Sequence, residues 1–207
     1  MSLSIIEGKW FPYNNLSIKP VFDYMAEVHR LWNPEFRYHY EMFNTRDSFK
    51  AAFERAIMKR SHYCIYIAAH GDKNNIYGYG GESVPIGSIL KLLQTTFEHG
   101  AKVEGIFFGS CLFGSHENLR KVILGSHKSL RWVAGYDYKS DLAGGTFTEA
   151  SFFDDYFTLR FHDALTPLQS ISRLKETNYF KNGLHLSKRK INMIYYDEKN
   201  ADPCVEL

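Results

Sequence analysis

One histidine and one cysteine in this chain each follow a run of apolar residues and adjoin small ones. His70 comes directly after the apolar run 63–69 and precedes Gly71, while Cys111 follows the apolar run 103–108 and two small residues. A cysteine thiolate is the side-chain nucleophile formed most readily near neutral pH. An imidazole beside it can take its proton or protonate a leaving amine. The two residues therefore predict nucleophilic catalysis by a Cys–His dyad.

The elements that must position this pair are indicated by hydrophobic periodicity. Apolar runs of strand length at 63–69, 103–108 and 130–136 are typical of buried parallel strands. Helical spacing predicts helices at about 19–32, 47–60, 85–100, 115–124, 143–162 and from 166 onward. Alternating aromatic residues predict a strand at 36–43. This alternation predicts an α/β fold, with helices on both faces of a mainly parallel sheet.

In such a sheet, ligand sites form at the carboxyl ends of the strands. His70 and Cys111 both follow strands, and one loop (71–84) and one helix join the two segments. We therefore expect the two strands to be neighbours and the two side chains to face one cleft. The backbone amides of Gly71 and Cys111 are the expected oxyanion donors, since developing negative charge needs oriented N–H groups.

The two segments together resemble the hallmark blocks of clan CD cysteine peptidases. "CIYIAAHG" is similar to their strand followed by His-Gly, and "VEGIFFGSC" to their strand followed by two small residues and cysteine. The separation of 41 positions between His70 and Cys111 is in the range of caspase-like and CHAT-type domains. The later segment "RWVAGYDYKSD" resembles the segment after the catalytic cysteine in CHAT domains, the group to which the likeness is greatest.

This resemblance implies a three-layer αβα sandwich of the caspase-like kind, with His70 as the catalytic imidazole and Cys111 as the nucleophile. Relatives such as separase and metacaspases use acidic groups to hold Arg or Lys before the scissile bond. Here Asp137 and Asp141 follow the third strand, and Asp72 lies beside the histidine. We therefore expect cleavage after a basic residue. The caspase pentapeptide around the cysteine is absent, which argues against a true caspase.

Composition limits the other function classes. The 207 residues suit a single domain spanning 1–207, and a net charge of +2 predicts neither a nucleic-acid nor a membrane surface. Three widely spaced cysteines and no evident signal peptide favour a reduced, cytoplasmic protein. His116 near Cys111 raises the question of a metal site, but no zinc-ligand spacing occurs. The expected partners are a protein or peptide substrate and an activating or assembly protein, with no cofactor.

Several alternatives remain open on the sequence alone. His70 and Cys111 have the plain interpretations of a hydrogen-bonded strand-end histidine and a small buried hydrophobic residue. Asp137 and Asp141 would then cap a helix or solvate a loop. The protein would in that case be a catalytically inactive caspase-like interaction module, with a C-terminal edge strand at 191–196 available to another chain. A Rossmann-like nucleotide-binding protein is disfavoured, because G-x-G-x-x-G follows none of the predicted strands.

Overall fold

Strands and helices alternate along the chain in the computed structural model, which describes residues 2–11, 16–57, 63–97, 103–126, 130–139, 142–177, 190–196 and 205–206. The strands are β1 (Ser2–Gly8), β2 (Arg37–Phe43), β3 (Tyr63–Ala68), β4 (His70–Gly71), β5 (Asn75–Tyr77), β6 (Ser83–Pro85), β7 (Val103–Phe108), β8 (Trp132–Gly135), β9 (Asn192–Tyr195) and β10 (Val205–Glu206). The helices are α1 (Lys19–Trp32), α2 (Arg46–Ile57), α3 (Ile86–Phe97), α4 (His116–Gly125), α5 (Leu142–Phe161) and α6 (Pro167–Leu174).

Seven of these strands form the main sheet, in the order β10-β9-β8-β7-β3-β1-β2. Strands β2, β1, β3, β7 and β8 pair in parallel with one another in that order, whereas β9 runs antiparallel to both of its neighbours. Strands β4, β5 and β6 form a separate three-stranded antiparallel sheet. Because β3 and β7 are adjacent, the segments after them leave the main sheet side by side.

Two apolar clusters fill the space above and below the main sheet. One contains inward-facing residues of α2, α3 and α4, and the other contains those of α1, α5 and α6. Strand residues alternate between the clusters: Ile65 and Ile67 belong to the first, and Cys64 and Tyr66 to the second. A parallel sheet covered by helices on both faces is the expected way to bury such strands. The predicted three-layer αβα sandwich is therefore confirmed.

Local sequence signals explain several element boundaries. Ser115 caps α4 by accepting a hydrogen bond from the Asn118 amide. Thr166 and Gln169 form a reciprocal capping box at the start of α6, as their spacing predicts. The predicted helices at 19–32 and 143–162 are confirmed as α1 and α5 within one residue, while the end predicted for the second helix, 58–60, lies outside the described residues.

Three expectations need correction. The sequence pattern did not identify β1, although it lies between β2 and β3 and all seven of its residues are buried. The loop expected at 71–84 contains the small sheet. Strand β9 is not an edge, because β10 pairs with its outer side, so the predicted open edge at 191–196 is wrong. The sequence pattern also predicts a strand at about 184–186 that pairs with 191–196, and this segment lies outside the described residues.

The helices of the described segments do not meet the requirements of a membrane span. None of them is both long and apolar enough to cross a bilayer. The single domain over 1–207 stays a prediction.

Candidate active site

Strand register brings the segments containing His70 and Cys111 to the same edge of the main sheet. Ile67 of β3 pairs with Phe108 of β7, and the Gly109 amide donates to the Ile67 carbonyl at 2.8 Å. His70 and Cys111 each lie three positions beyond that residue pair. The two segments therefore leave neighbouring strands at the same level, at the carboxyl edge, where the sequence places the site.

Gly71 shows how closely these two segments approach. A Cβ atom at this position would lie 2.9 Å from the Ser110 Cβ and 3.0 Å from the Cys111 carbonyl oxygen. Both distances are shorter than ordinary contacts of a Cβ atom, so only glycine fits here without displacement of its neighbours. The His-Gly and Ser-Cys segments are thus in direct contact, which is the arrangement that a Cys–His dyad requires.

His70 is exposed and is held by the segment after β1. Its Nε2 atom lies 2.6 Å from the Trp10 carbonyl oxygen. Because a carbonyl oxygen can only accept, Nε2 carries the proton, and Nδ1 is left to exchange a proton with another group. The rings of Trp10 and Phe11 meet the imidazole edge-on, with centroid distances of 5.2 and 5.7 Å.

The turn after Cys111 is fixed to the end of β8. Leu112 has a φ of 61°, in the left-handed region that non-glycine residues rarely adopt. The Leu112 amide donates to the Tyr138 carbonyl at 3.1 Å, and the Gly114 amide donates to the Tyr136 carbonyl at 2.8 Å. An uncommon backbone conformation maintained by its surroundings is typical of functional sites.

The two described cysteines differ in their access to solvent. Cys111 is half-buried at the carboxyl edge, whereas Cys64 is fully buried within β3. Burial raises the pKa of the Cys64 thiol well above its usual value, and the nearby Glu104 raises it further. Cys64 is therefore a core residue, and Cys111 is the thiol whose position suits chemistry.

The predicted acidic residues occupy different surroundings. Asp137 is exposed and lies between Tyr136 and Tyr138 in the chain. The carbonyls of these two tyrosines accept hydrogen bonds from the turn after Cys111, so Asp137 belongs to the same edge of the sheet. Asp141 lies outside the described residues. Asp72 accepts hydrogen bonds from the amides of Asn74 and Asn75 and from the Tyr77 hydroxyl. Although partial burial opposes it, this set of hydrogen bonds lowers the pKa of Asp72.

A buried amide links the loops on either side of the candidate dyad. Asn118, in the first turn of α4, donates through Nδ2 to the Lys73 carbonyl at 2.6 Å and to the Phe113 carbonyl at 2.9 Å. Lys73 lies shortly after His70 in the chain, and Phe113 shortly after Cys111. One side chain thus ties the two site loops to the start of the same helix.

A buried carboxyl group lies directly behind the cysteine segment. A Cβ at Gly109 would lie 2.8 Å from Glu149 Oε1 and 2.7 Å from the Tyr66 hydroxyl oxygen, which itself donates to Glu149. Burial raises the pKa of Glu149 to about 7, although hydrogen bonds from Tyr66 and Tyr136 lower it. Glycine at 109 therefore leaves room for a titratable carboxyl group beneath the turn.

Sequence reasoning missed four residues of this region: Glu7, Trp10, Asn118 and Glu149. Each is a polar or amphipathic side chain with at least one partner that is distant in the sequence, such as Tyr40 for Glu7 and His70 for Trp10, and spacing alone does not indicate such a partner. The one available signal was a glutamate at the end of the apolar segment 3–6, where a charged residue needs buried partners.

The described residues contain no evident metal centre. Among them, no group of three or more His, Cys, Asp or Glu side chains is arranged to hold a metal ion.

Comparison with solved structures finds the same architecture in a cysteine protease. The chain is similar to a secreted C11 cysteine protease from Bacteroides thetaiotaomicron, whose X-ray structure was determined in complex with an irreversible peptide inhibitor. The TM-score is 0.56 at 13% sequence identity, and the match covers 94% of this chain and 66% of that one. No family model matches the sequence. No curated protein matches it either.

The fold is therefore that of the caspase-like α/β proteins, and a C11 protease is one matched structure within this class. This chain spans about two thirds of that protein's length, and at 13% identity the likeness concerns the fold. The particular likeness to CHAT-type domains stays a prediction from the sequence.

Proposed function

We propose that this protein is a clan CD cysteine peptidase that cleaves a protein or peptide substrate with Cys111 and His70. The observation that carries the proposal is the contact of the His70-Gly71 segment with the Ser110-Cys111 segment at the carboxyl ends of adjacent strands. The fold shared with a C11 cysteine protease supports it. The half-buried Cys111 and the exposed His70 are both in positions that a substrate can approach.

The proposed reaction uses the dyad in two steps. The Cys111 thiol loses its proton to His70, and Sγ attacks the scissile carbonyl carbon to form a tetrahedral oxyanion. The amides of Gly71 and Cys111 are the proposed donors to that oxyanion. His70 then protonates the leaving amine as the C–N bond breaks, which leaves a thioester on Cys111. Water hydrolyses the thioester, and this releases the acid product and restores the thiol.

Cleavage after Arg or Lys is the proposed specificity. Asp137 is the first candidate to hold the basic side chain, because it is exposed at the edge that carries Cys111. Asp141 follows it in sequence and is the second. Asp72 is the third, and it would have to bind substrate while its oxygens also accept the hydrogen bonds of its own turn.

A peptide-library assay tests the dyad. Wild-type protein is expected to cleave peptides, and Cys111→Ala and His70→Ala are expected to lower kcat/KM by at least about a thousandfold, because removal of a nucleophile or its base stops the covalent route. Cys64→Ala is the matched control and should retain cleavage. Full activity in Cys111→Ala would contradict the proposal.

Thiol labelling provides a readout that does not depend on finding a substrate. In a Cys204→Ser background, a mild alkylating agent should modify Cys111 and spare Cys64, which is buried and has a raised thiol pKa. Absence of both cleavage and Cys111 labelling would instead favour a catalytically inactive interaction module. In that case the partner would be an assembly protein rather than a substrate.

The specificity proposal has its own test. Asp137→Asn is expected to lower kcat/KM for Arg and Lys substrates by roughly tenfold, since it removes a charge that faces the substrate cation. Asp163→Asn is the control, because Asp163 is exposed but follows the far end of α5. If Asp137→Asn and Asp141→Asn both keep the wild-type preference for basic residues, the specificity assignment is wrong.

A further inference from the structure

Glu7 is a fully buried acidic residue near the end of β1. Its backbone pairs with Ala68 of β3, two positions before His70. Removing a carboxylate from water costs several kcal/mol unless its oxygens are satisfied by other groups. The contacts that satisfy the Glu7 carboxylate lead through the protein to His70.

Among the described residues, four donors contact the Glu7 carboxylate, and all four are neutral. Oε1 accepts from the Trp10 indole Nε1 at 2.6 Å and from the Ile18 amide at 3.0 Å. Oε2 accepts from the Ser17 hydroxyl at 2.6 Å and from the Tyr40 hydroxyl at 2.5 Å. A carboxylate offers about four acceptor positions, so these four donors match its hydrogen-bonding capacity.

Trp10 connects this carboxylate to the candidate catalytic histidine. Its indole N–H is bound to Glu7, its carbonyl oxygen lies 2.6 Å from His70 Nε2, and its ring meets the imidazole edge-on. The Trp10 side chain is largely buried, at 8% exposure. Because Glu7 and the surrounding core fix the Trp10 side chain, the Trp10 backbone carbonyl meets the imidazole in one orientation.

We infer that Glu7 is a positioning residue for His70 and acts through Trp10. This inference rests on the proposed peptidase function. By holding the Trp10 carbonyl against Nε2, Glu7 keeps the proton on that nitrogen and leaves Nδ1 to exchange a proton with the thiol. Ser17 and Ile18 precede α1, so the same carboxylate also fixes the far end of the segment between β1 and α1.

Trp10→Phe is the sharpest variant for a test. It removes the indole N–H while it keeps an aromatic ring and the backbone carbonyl, and Glu7→Gln provides a second, independent variant. Both are expected to lower kcat by about tenfold with little change in KM, which is the loss expected for one hydrogen bond to a charged group. The matched control is Tyr156→Phe, which removes a buried hydroxyl bound to Glu104 at 2.8 Å, far from His70.

Nitrogen-15 NMR of the histidine rings measures the tautomer without any need for turnover. The chain has nine histidines, and the spectrum of His70→Ala identifies the signal of His70. We expect the wild-type protein to show the Nε2–H tautomer, Trp10→Phe and Glu7→Gln to show a mixture, and Tyr156→Phe to match the wild type. The pH profile of Cys111 alkylation should change in the same two variants only.

These outcomes separate the two proposals. If Trp10→Phe and Glu7→Gln both keep the wild-type tautomer and alkylation profile, or if Tyr156→Phe alters them equally, Glu7 has only a structural role and the inference is overturned. If the tautomer changes as expected but wild-type protein cleaves no peptide, the positioning role stands and the peptidase function is the part that fails.

Discussion

Buried carboxyl groups lie at both edges of the main sheet, and their surroundings differ. At the amino edge, Glu104 of β7 forms an ion pair with Arg160 at 2.6 Å and accepts a hydrogen bond from Tyr156. At the carboxyl edge, the described donors to Glu7 and Glu149 are neutral hydroxyl, indole and amide groups. A cation thus neutralises the Glu104 carboxylate at the amino edge, while neutral donors bind the carboxyl groups of Glu7 and Glu149 at the carboxyl edge.

This difference supports the proposed placement of the active site at the carboxyl edge. A carboxylate paired with a buried guanidinium has its charge cancelled and contributes to a fixed structure. At the carboxyl edge no described cation cancels the charge of these groups, and burial raises the pKa of Glu149 to about 7. Such groups lie behind His70 and Cys111, which are the residues of the proposed dyad. The helix α5 spans both edges and carries Glu149 near its start and Arg160 near its end.

The largest expected effect is at the amino edge. Arg160→Met removes the cation and leaves Glu104 buried without its ion-pair partner, which is expected to lower the free energy of unfolding by about 3–5 kcal/mol. Urea denaturation followed by circular dichroism measures this loss. The double variant Arg160→Met with Glu104→Leu should recover much of it. A change below about 1 kcal/mol in the single variant would show that the two edges do not differ in this way.

Glu149→Gln should have the opposite effect at the carboxyl edge. The pKa of Glu149 is about 7 in the folded protein and about 4.5 for the unperturbed group, so the folded protein binds more protons between these values. The free energy of unfolding therefore falls as pH rises from 4.5 to 7. Glutamine cannot ionise, and we expect it to stabilise the protein at pH 8 by up to about 3 kcal/mol.

The measurement for Glu149→Gln is urea denaturation of both proteins at pH 5 and pH 8. The stabilisation should be small at pH 5, where most of the Glu149 population is protonated, and larger at pH 8. An equal difference at the two pH values would mean that Glu149 does not titrate in this range. Destabilisation at pH 8 would mean that its surroundings favour the charged form, as at the amino edge.

Asn118→Ala should give the smallest effect on stability but should also affect cleavage. It leaves the Lys73 and Phe113 carbonyls without these two hydrogen bonds, at a cost of about 1–2 kcal/mol. Because those bonds hold the loops after His70 and Cys111 together, kcat should fall by several-fold.

Ser126, which follows the last residue of α4, provides a control for Asn118→Ala. Ser126→Ala removes a buried hydroxyl that donates to the Ile123 carbonyl at 2.6 Å, on the amino side of the sheet. It should lower stability to a comparable extent and leave peptide cleavage unchanged. Equal losses of cleavage in the two variants would show that Asn118 acts only through general stability.

Much of the fold could be predicted because its signals are local. Apolar periodicity located α1, β3, β7 and α5 nearly at their observed bounds, and the capping box of Thr166 and Gln169 located the start of α6. Strand β1 was missed, because its apolar run is short and is interrupted by Ser4. The small sheet β4-β5-β6 was missed because its Gly- and Asn-rich sequence has weak strand propensity.

The candidate dyad shows the same division between local and long-range information. His70-Gly71 and Ser110-Cys111 could be selected from residue type and from their positions after apolar strands, because those strands are encoded locally. The sequence alone therefore determined the strand–helix alternation, the two residues that form the candidate dyad and the edge on which they lie. Tertiary structure decided the β1 position, the contact at Gly71, and the placement of Glu7, Trp10, Asn118 and Glu149. Most of these contacts join residues distant in the chain, so they exist only once packing has brought those residues together.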